Sequence, residues 1–295
     1  MPELPDIAVY CESIEHLLQG ATLQRILLPS IFILRTVDPP IAEFENRRLV
    51  GTSSIGKRIV LEFEGGMFAV IHLMIAGRLK WFVAGSKVPL NKLVLARFEF
   101  DRGVLALTEA GTKRRASLHL ARGREALSAY DPGGIDPLSC TLADFASRLQ
   151  RENHTLKRAL TDPHSFSGIG NSYSDEILHR ARLSPLALSQ KLSQADVARL
   201  HAATREVLEE WLSRLRGEAA EKFPEKVTAF RPEMAVHGKF KQPCPVCGGL
   251  VQRIVYAENE CNYCPHCQTG GKLLADRALS RLLKASWPKS ADELW

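Results

Sequence analysis

The chain has 295 residues, 45% hydrophobic and 24% charged, with 39 Lys and Arg against 33 Asp and Glu for a formal charge of +6. That length exceeds one typical domain and predicts two, each able to bury a core, and the composition excludes a disordered or fibrous chain. No apolar run approaches the roughly 18 residues of a membrane span and no secretory signal opens the chain, so a cytoplasmic protein without a membrane partner is expected, and the basic balance favours an acidic partner.

An amphipathic helix is predicted over residues 5 to 18. Ile7, Tyr10, Cys11, Ile14, Leu17 and Leu18 fall on one face, and Gly20 follows as a stop. From residue 24 to about 120 the chain reads as short strands: "QRILL", "IFILR", "RIVLEFE", "MFAVIHL", "RLKWFV", "LVLARFEF", "GVLALT" and "ASLHL". Turn signals at 64–66 ("EGG") and 101–103 ("DRG") separate them, as in a β-sandwich built of hairpins. "DPGGIDPLS" at 131–139 marks a domain edge. Helices are then predicted at about 141–150, 155–161, 171–182 and 193–216, the last begun by Ser193 with Asp196 and ended by Gly217. The fold class is α+β. Its expected parts are a sandwich over 1–131, a linker over 132–138, a helical domain over 139–235, a cysteine module over 236–272 and an extension over 273–295.

Seven cysteines include two C-P-x-C knuckles, "CPVC" and "CPHC", with sixteen residues between them. Cys244, Cys247, Cys264 and Cys267 at this spacing predict a zinc ribbon, in which two knuckles converge on one tetrahedral Zn2+. Cys261 and His266 compete on paper, but only Cys264 and Cys267 repeat the proline-containing knuckle. Four protein ligands leave no open position, so the ion is expected to be structural. Nearby Lys239, Lys241, Arg253 and Lys272 suit either phosphate contacts or a solvated basic face.

Pro2 and Glu3 stand directly ahead of the first helix. Removal of Met1 would leave the secondary amine of Pro2 at the terminus, a nucleophile able to form an iminium with an aldehyde-like carbon. The positive end of the helix disfavours its protonation, whereas Glu3, a candidate proton donor and acceptor, works the other way. The same two residues also suit plain helix initiation.

"MPELPDI", the lysine of "GKRIVLEF", "SGIGNSYSDEIL" and a C-terminal four-cysteine ribbon occur in that order. Together they resemble the formamidopyrimidine-DNA glycosylase / endonuclease VIII family of base-excision repair enzymes over nearly the whole chain. The resemblance implies a β-sandwich led by the catalytic helix, a helix-two-turn-helix domain and a zinc ribbon, in a monomer acting on damaged DNA at a bacterial nucleoid. It implies Pro2 as the nucleophile that attacks C1′, Glu3 as general acid/base, Lys57 as a phosphate contact beside the lesion, and Asn171 as part of the phosphate clamp.

Three departures follow. The family's intercalation loop, rich in arginine with a phenylalanine wedge, is replaced by "LTEAGTKRRASL", where Lys113, Arg114 and Arg115 supply charge without an aromatic. Met74 lies one position early for the family's methionine wedge, with Ile75 in register, and either suits the gap or the core. Asn259, between Glu258 and Glu260, replaces the family's hairpin arginine, and Asp6 replaces a glutamate. The expectation is a glycosylase and abasic-site lyase with altered lesion choice. A predominantly abasic-site lyase and a catalytically idle DNA-structure binder are the alternatives.

Overall fold

A computed structural model of the protein describes residues 1–89, 91–111, 113–225, 227, 230–256, 259–274 and 290–291. Glu258 and nearly all of the expected extension over 273–295 lie outside the described residues. The chain divides into two units, one of Met1–Pro132 with Trp211–Thr228, the other of Gly133–Glu210 with Ala229–Trp295.

The first unit opens with α1 (Leu4–Leu18), whose buried face carries Ile7, Tyr10, Cys11, Ile14 and Leu18, the predicted stripe except for the half-buried Leu17. Eight strands follow: β1 (Thr22–Leu27), β2 (Arg47–Ile55), β3 (Arg58–Phe63), β4 (Met67–His72), β5 (Gly77–Val83), β6 (Val94–Phe100), β7 (Gly103–Glu109) and β8 (Ser117–Arg122). They run in the order β5-β7-β6-β1-β2-β3-β4-β8, with antiparallel neighbours. Alternation sorts the side chains. Met67, Ala69 and Ile71 of β4 join the α1 core, while Phe68 and Val70 face outward beneath Leu127 and Tyr130 of the 3-10 turn Arg124–Tyr130. Each such fully buried aliphatic or aromatic side chain contributes about 1.5–3 kcal/mol.

Two strand assignments change. "IFILR" is not a strand: Ile31–Ile33 forms a single 3-10 turn and Leu34 makes one parallel bridge to Leu118. Only Ile33 of its apolar residues is fully buried, while Ile31 and Phe32 are 71% and 81% exposed. Conversely β2 forms from a polar stretch, paired along its length with β3.

The second unit holds α2 (Leu142–Gln150), α3 (Leu156–Thr161), α4 (Asn171–Arg180) and the first part of α5 (Gln194–Glu221). Thr141 caps α2, and Ser193 with Asp196 opens α5 through reciprocal hydrogen bonds of 2.8 and 3.1 Å. Gly217 does not end α5, which continues to Glu221. No positive φ is imposed there, so a helical glycine only weakens the segment. A hairpin of β9 (Gln252–Tyr256) and β10 (Asn259–Tyr263) precedes the short α6 (Pro265–Thr269). No helix among the described residues is long and apolar enough to cross a membrane.

Candidate active site and metal centre

In the first unit the chain start is seated. Pro2 is buried, and Glu3, 2% exposed, is the N-cap of α1. Glu3 and Asp6 close a reciprocal box, in which the Glu3 amide donates to Asp6 Oδ2 at 2.9 Å and the Glu3 carboxylate accepts from the Asp6 amide. The shorter Asp6 arm is what the box uses. Burial pushes the pKa of the Met1 amine below its ordinary 8.0; Glu3 opposes this, Arg78 adds to it, Asp6 opposes it and Lys57, the smallest influence, adds to it. The structure therefore places Glu3 and Lys57 in the electrostatic neighbourhood of the terminal amine, and burial outweighs the Glu3 charge.

Lys57 follows Gly56 (φ +58°) in the tight turn between β2 and β3. Sequence reasoning missed two further basic side chains, His72 within the field of Lys57 and Arg78 within that of the Met1 amine. His72, at the end of β4, pairs across the strands with Arg58; burial first, then Arg58 and Lys57, pull its pKa down to about 4, so it is a neutral imidazole at neutral pH. Arg78 braces the turn ahead of it, donating from Nη1 to the carbonyls of Ile75 at 3.0 Å and Gly77 at 2.6 Å. In this turn Met74 is left-handed at φ +52° and Ile75 is 56% exposed, so Ile75 is not core. Gly77 is required, since a Cβ there would lie 2.2 Å from the Leu73 carbonyl oxygen.

Lys113, Arg114 and Arg115 are exposed. Their loop is held from beneath by Glu109, 2% exposed, whose carboxylate accepts the amides of Arg115 and Ala116, both at 3.1 Å. Glu109→Ala should destabilise the protein by about 1–3 kcal/mol for each amide left without a partner. Limited proteolysis should then cut preferentially within 110–116. An unchanged cleavage pattern would contradict the bracing role.

In the second unit Asn171 is the first residue of α4, behind Gly170 and the left-handed Gly168 (φ +76°). Its side chain donates from Nδ2 to the Glu260 carbonyl at 2.9 Å, and its own carbonyl accepts from Lys157 Nζ at 2.7 Å. The next turn carries two buried acids that sequence reasoning passed over. Asp175 accepts from Lys157 at 2.5 Å, His237 Nδ1 at 2.8 Å and the Asn262 amide at 3.1 Å. Glu176 accepts the amides of Ala235, Val236 and His237 at 2.8–2.9 Å; burial still raises its pKa. Their one sequence signal is a pair of adjacent acids inside a helix that is otherwise buried.

The ligand atoms of Cys244, Cys247, Cys264 and Cys267 all lie within 4.8 Å of one another. Two of the Sγ–Sγ distances are 3.9 Å (Cys244–Cys267) and 3.4 Å (Cys247–Cys264). Tetrahedral thiolates about 2.3 Å from zinc would stand about 3.8 Å apart, so the donor set fits a closed structural site. His179 Nε2 lies 3.3 Å from Cys244 Sγ, an orienting contact from α4. Cys261 is buried elsewhere, its thiol pushed up first by burial and then by Asp175, and His266 is exposed. Of the four basic residues near the ribbon, Arg253 lies over the Phe240 ring at 4.3 Å and pairs with Glu260 at 3.0 Å, and Lys239 donates to the Pro232 carbonyl at 2.9 Å.

Three family models match in chain order: the formamidopyrimidine-DNA glycosylase N-terminal domain over residues 1–118, its H2TH domain over 134–220, and a zinc finger found in FPG and IleRS over 241–270. A formamidopyrimidine-DNA glycosylase of Roseiflexus sp. is 31% identical over 277 residues, covering 91% of this chain and 100% of that protein. An uncharacterized formamidopyrimidine-DNA glycosylase-like protein of Mycobacterium tuberculosis is 44% identical over 152 residues, 51% of this chain and 94% of that one. The Lactococcus lactis Fpg, solved as a complex with an abasic site containing DNA, shares the fold with a TM-score of 0.79 at 20% identity, over 90% of this chain and 99% of that one. With sandwich, helical domain and zinc-binding ribbon matched in sequence and fold, the chain belongs to the formamidopyrimidine-DNA glycosylase family.

Proposed function

We propose that this protein is a DNA repair glycosylase and abasic-site lyase in which the amine of Pro2, uncovered by removal of Met1, is the nucleophile. The observation that carries the reading is the seat of the chain start: Pro2 is buried beside the buried Glu3, and the Met1 amine just ahead of it is lowered in pKa by burial and lies within the field of Glu3, Arg78 and Lys57. An amine held unprotonated attacks C1′ of the damaged nucleotide; the N–C1′ bond forms as the glycosidic bond breaks, and the base leaves with a proton. Glu3 passes a proton to the ring oxygen so that the sugar opens to the iminium. Loss of the C2′ proton then breaks the C3′–O bond, a second elimination breaks the C5′–O bond, and water hydrolyses the iminium to return the amine. Lys57, Asn171 and the loop of Lys113, Arg114 and Arg115 contact phosphates. Zinc, held by the four cysteines, supplies fold and takes no part in the chemistry. The place of action is the bacterial nucleoid.

The lesion preferred is one whose base is already absent or unpaired. The loop at 110–116 has no aromatic to fill the gap left by an everted base, a gap costing on the order of a few kcal/mol. Borohydride should therefore trap a covalent adduct with abasic DNA, and single-turnover cleavage at an abasic site in a bubble should outpace excision of 8-oxoguanine opposite cytosine. Absence of any adduct would refute the enzyme reading. Faster excision from the duplex would refute the preference.

A further inference from the structure

We propose that the end of the outer face of β3, β4 and β8 nearest Lys57, beside the part covered by Leu127 and Tyr130, is a track for single-stranded DNA, leading from Lys57 to an exposed apolar loop at residues 31–37. The inference rests on the DNA-repair reading above and extends it to a surface beyond the amine.

Strand alternation defines the track. Ile59, Leu61, Ile71, Leu118 and Leu120 point into the core, so Arg58, His72, Ser117 and His119 point out. The register sets Arg58 opposite His72, His72 opposite Ser117, and His119 opposite Val70. Tyr130 backs the row, its ring 5.0 Å from that of His119 and its carbonyl accepting from Arg58 Nη1 at 3.1 Å. At the free edge of β8 the chain at 34–36 is added to the sheet: the Arg35 amide donates to the Leu118 carbonyl at 2.9 Å, and Thr36 Oγ1 accepts the Leu120 amide at 2.8 Å. Arg58, His72, His119 and Arg35 thus span about 15 Å at ordinary strand spacing, with Lys57 at the catalytic end.

At the far end stand three large apolar side chains that the fold leaves in water. Ile31 is 71%, Phe32 81% and Val37 94% exposed; the first two lie in the 3-10 turn Ile31–Ile33 just ahead of Arg35, and Val37 lies two residues after it. Glu62, an acid on this outer face, pairs with Arg124 at 2.8 Å. The two histidines, both shifted toward the neutral form by burial, add hydrogen-bond donors rather than charge.

A row of cations that ends in an exposed aromatic matches the backbone and the unpaired bases of a single strand. A duplex offers Phe32 no ring face to stack on, because its bases are already stacked on one another.

The test measures, by fluorescence anisotropy, binding of a short oligothymidine and of an undamaged duplex to the full chain. Phe32→Ala and Arg35→Gln should each weaken oligothymidine binding roughly tenfold and lower the ratio of single-strand to duplex affinity. Val83→Ala, at a 61% exposed apolar position on β5, should leave that ratio where it is. Oligothymidine binding equal to wild type in both variants overturns the track, as does an equal loss on both ligands. Wild-type trapping of abasic duplex, run alongside, separates the two readings. Trapping with unmoved oligothymidine affinity refutes the track alone, whereas no trapping with affinity that depends on Phe32 and Arg35 refutes the proposed enzyme and leaves the track.

Discussion

Replacing Pro2 with glycine should lower borohydride trapping on abasic DNA roughly a hundredfold or more, the equivalent of about 2.7 kcal/mol of barrier. DNA affinity should barely move. A secondary amine in a ring forms an iminium directly and holds its lone pair in one direction, whereas glycine offers a primary amine on the most flexible backbone. A preparation shown to retain Met1 should trap as poorly, and efficient trapping by that form would defeat the mechanism. The pH dependence has a definite sign. Because only the unprotonated amine can attack, trapping should rise with pH until the Pro2 amine is fully deprotonated. The Glu3 carboxylate favours the protonated form of a neighbouring amine, as it does for the Met1 amine, so Glu3→Gln should move the midpoint down while slowing the sugar-opening step by about 10²–10⁴. A midpoint that moves up would contradict the assignment.

The second large effect concerns the metal. Cys264→Ser should abolish zinc binding, whereas Cys261→Ser should retain one zinc per chain, both read by metal analysis of purified protein. Binding of structural zinc is worth about 10–16 kcal/mol in isolated fingers, so its loss should unfold the ribbon. The damage should not stop there. Asp175 and Glu176 of α4 take five hydrogen bonds from His237, Asn262 and the backbone at 235–237. An ionised carboxylate stranded in a buried site costs on the order of 3–5 kcal/mol, so thermal melting of the Cys264→Ser protein should show the helical unit destabilised as well. A melt in which that unit is unchanged would show that the ribbon folds apart from it.

Features set by local spacing could be read from the sequence alone. The stripe on α1 and the two knuckles depend on residues a few positions apart, and both lie where the spacing puts them. Features set by distant partners could not. "IFILR" has the composition of a strand, but the segment turns at residue 31 and only its end reaches a neighbour, Leu118. β2 carries little apolar alternation and is specified by its partner β3. Lys57 stood out through a motif, whereas His72 and Arg78 acquire meaning only when strands far apart in sequence close on the terminal amine. Glu109 was invisible for the same reason, since a single acid at a strand end does not announce the two amides it holds.

The paired acids of α4 also decide how this protein can be cut and recombined. A chain truncated before residue 235 would lose every backbone donor to Glu176 and leave Asp175 with only Lys157 and the helix around it. A ribbon borrowed from another protein would need more than four cysteines: it would have to present an asparagine amide and a histidine to Asp175 at the same places. The helix and the ribbon are therefore one inheritable module, and exchange between relatives should respect the seam ahead of α2 rather than the one ahead of the first knuckle.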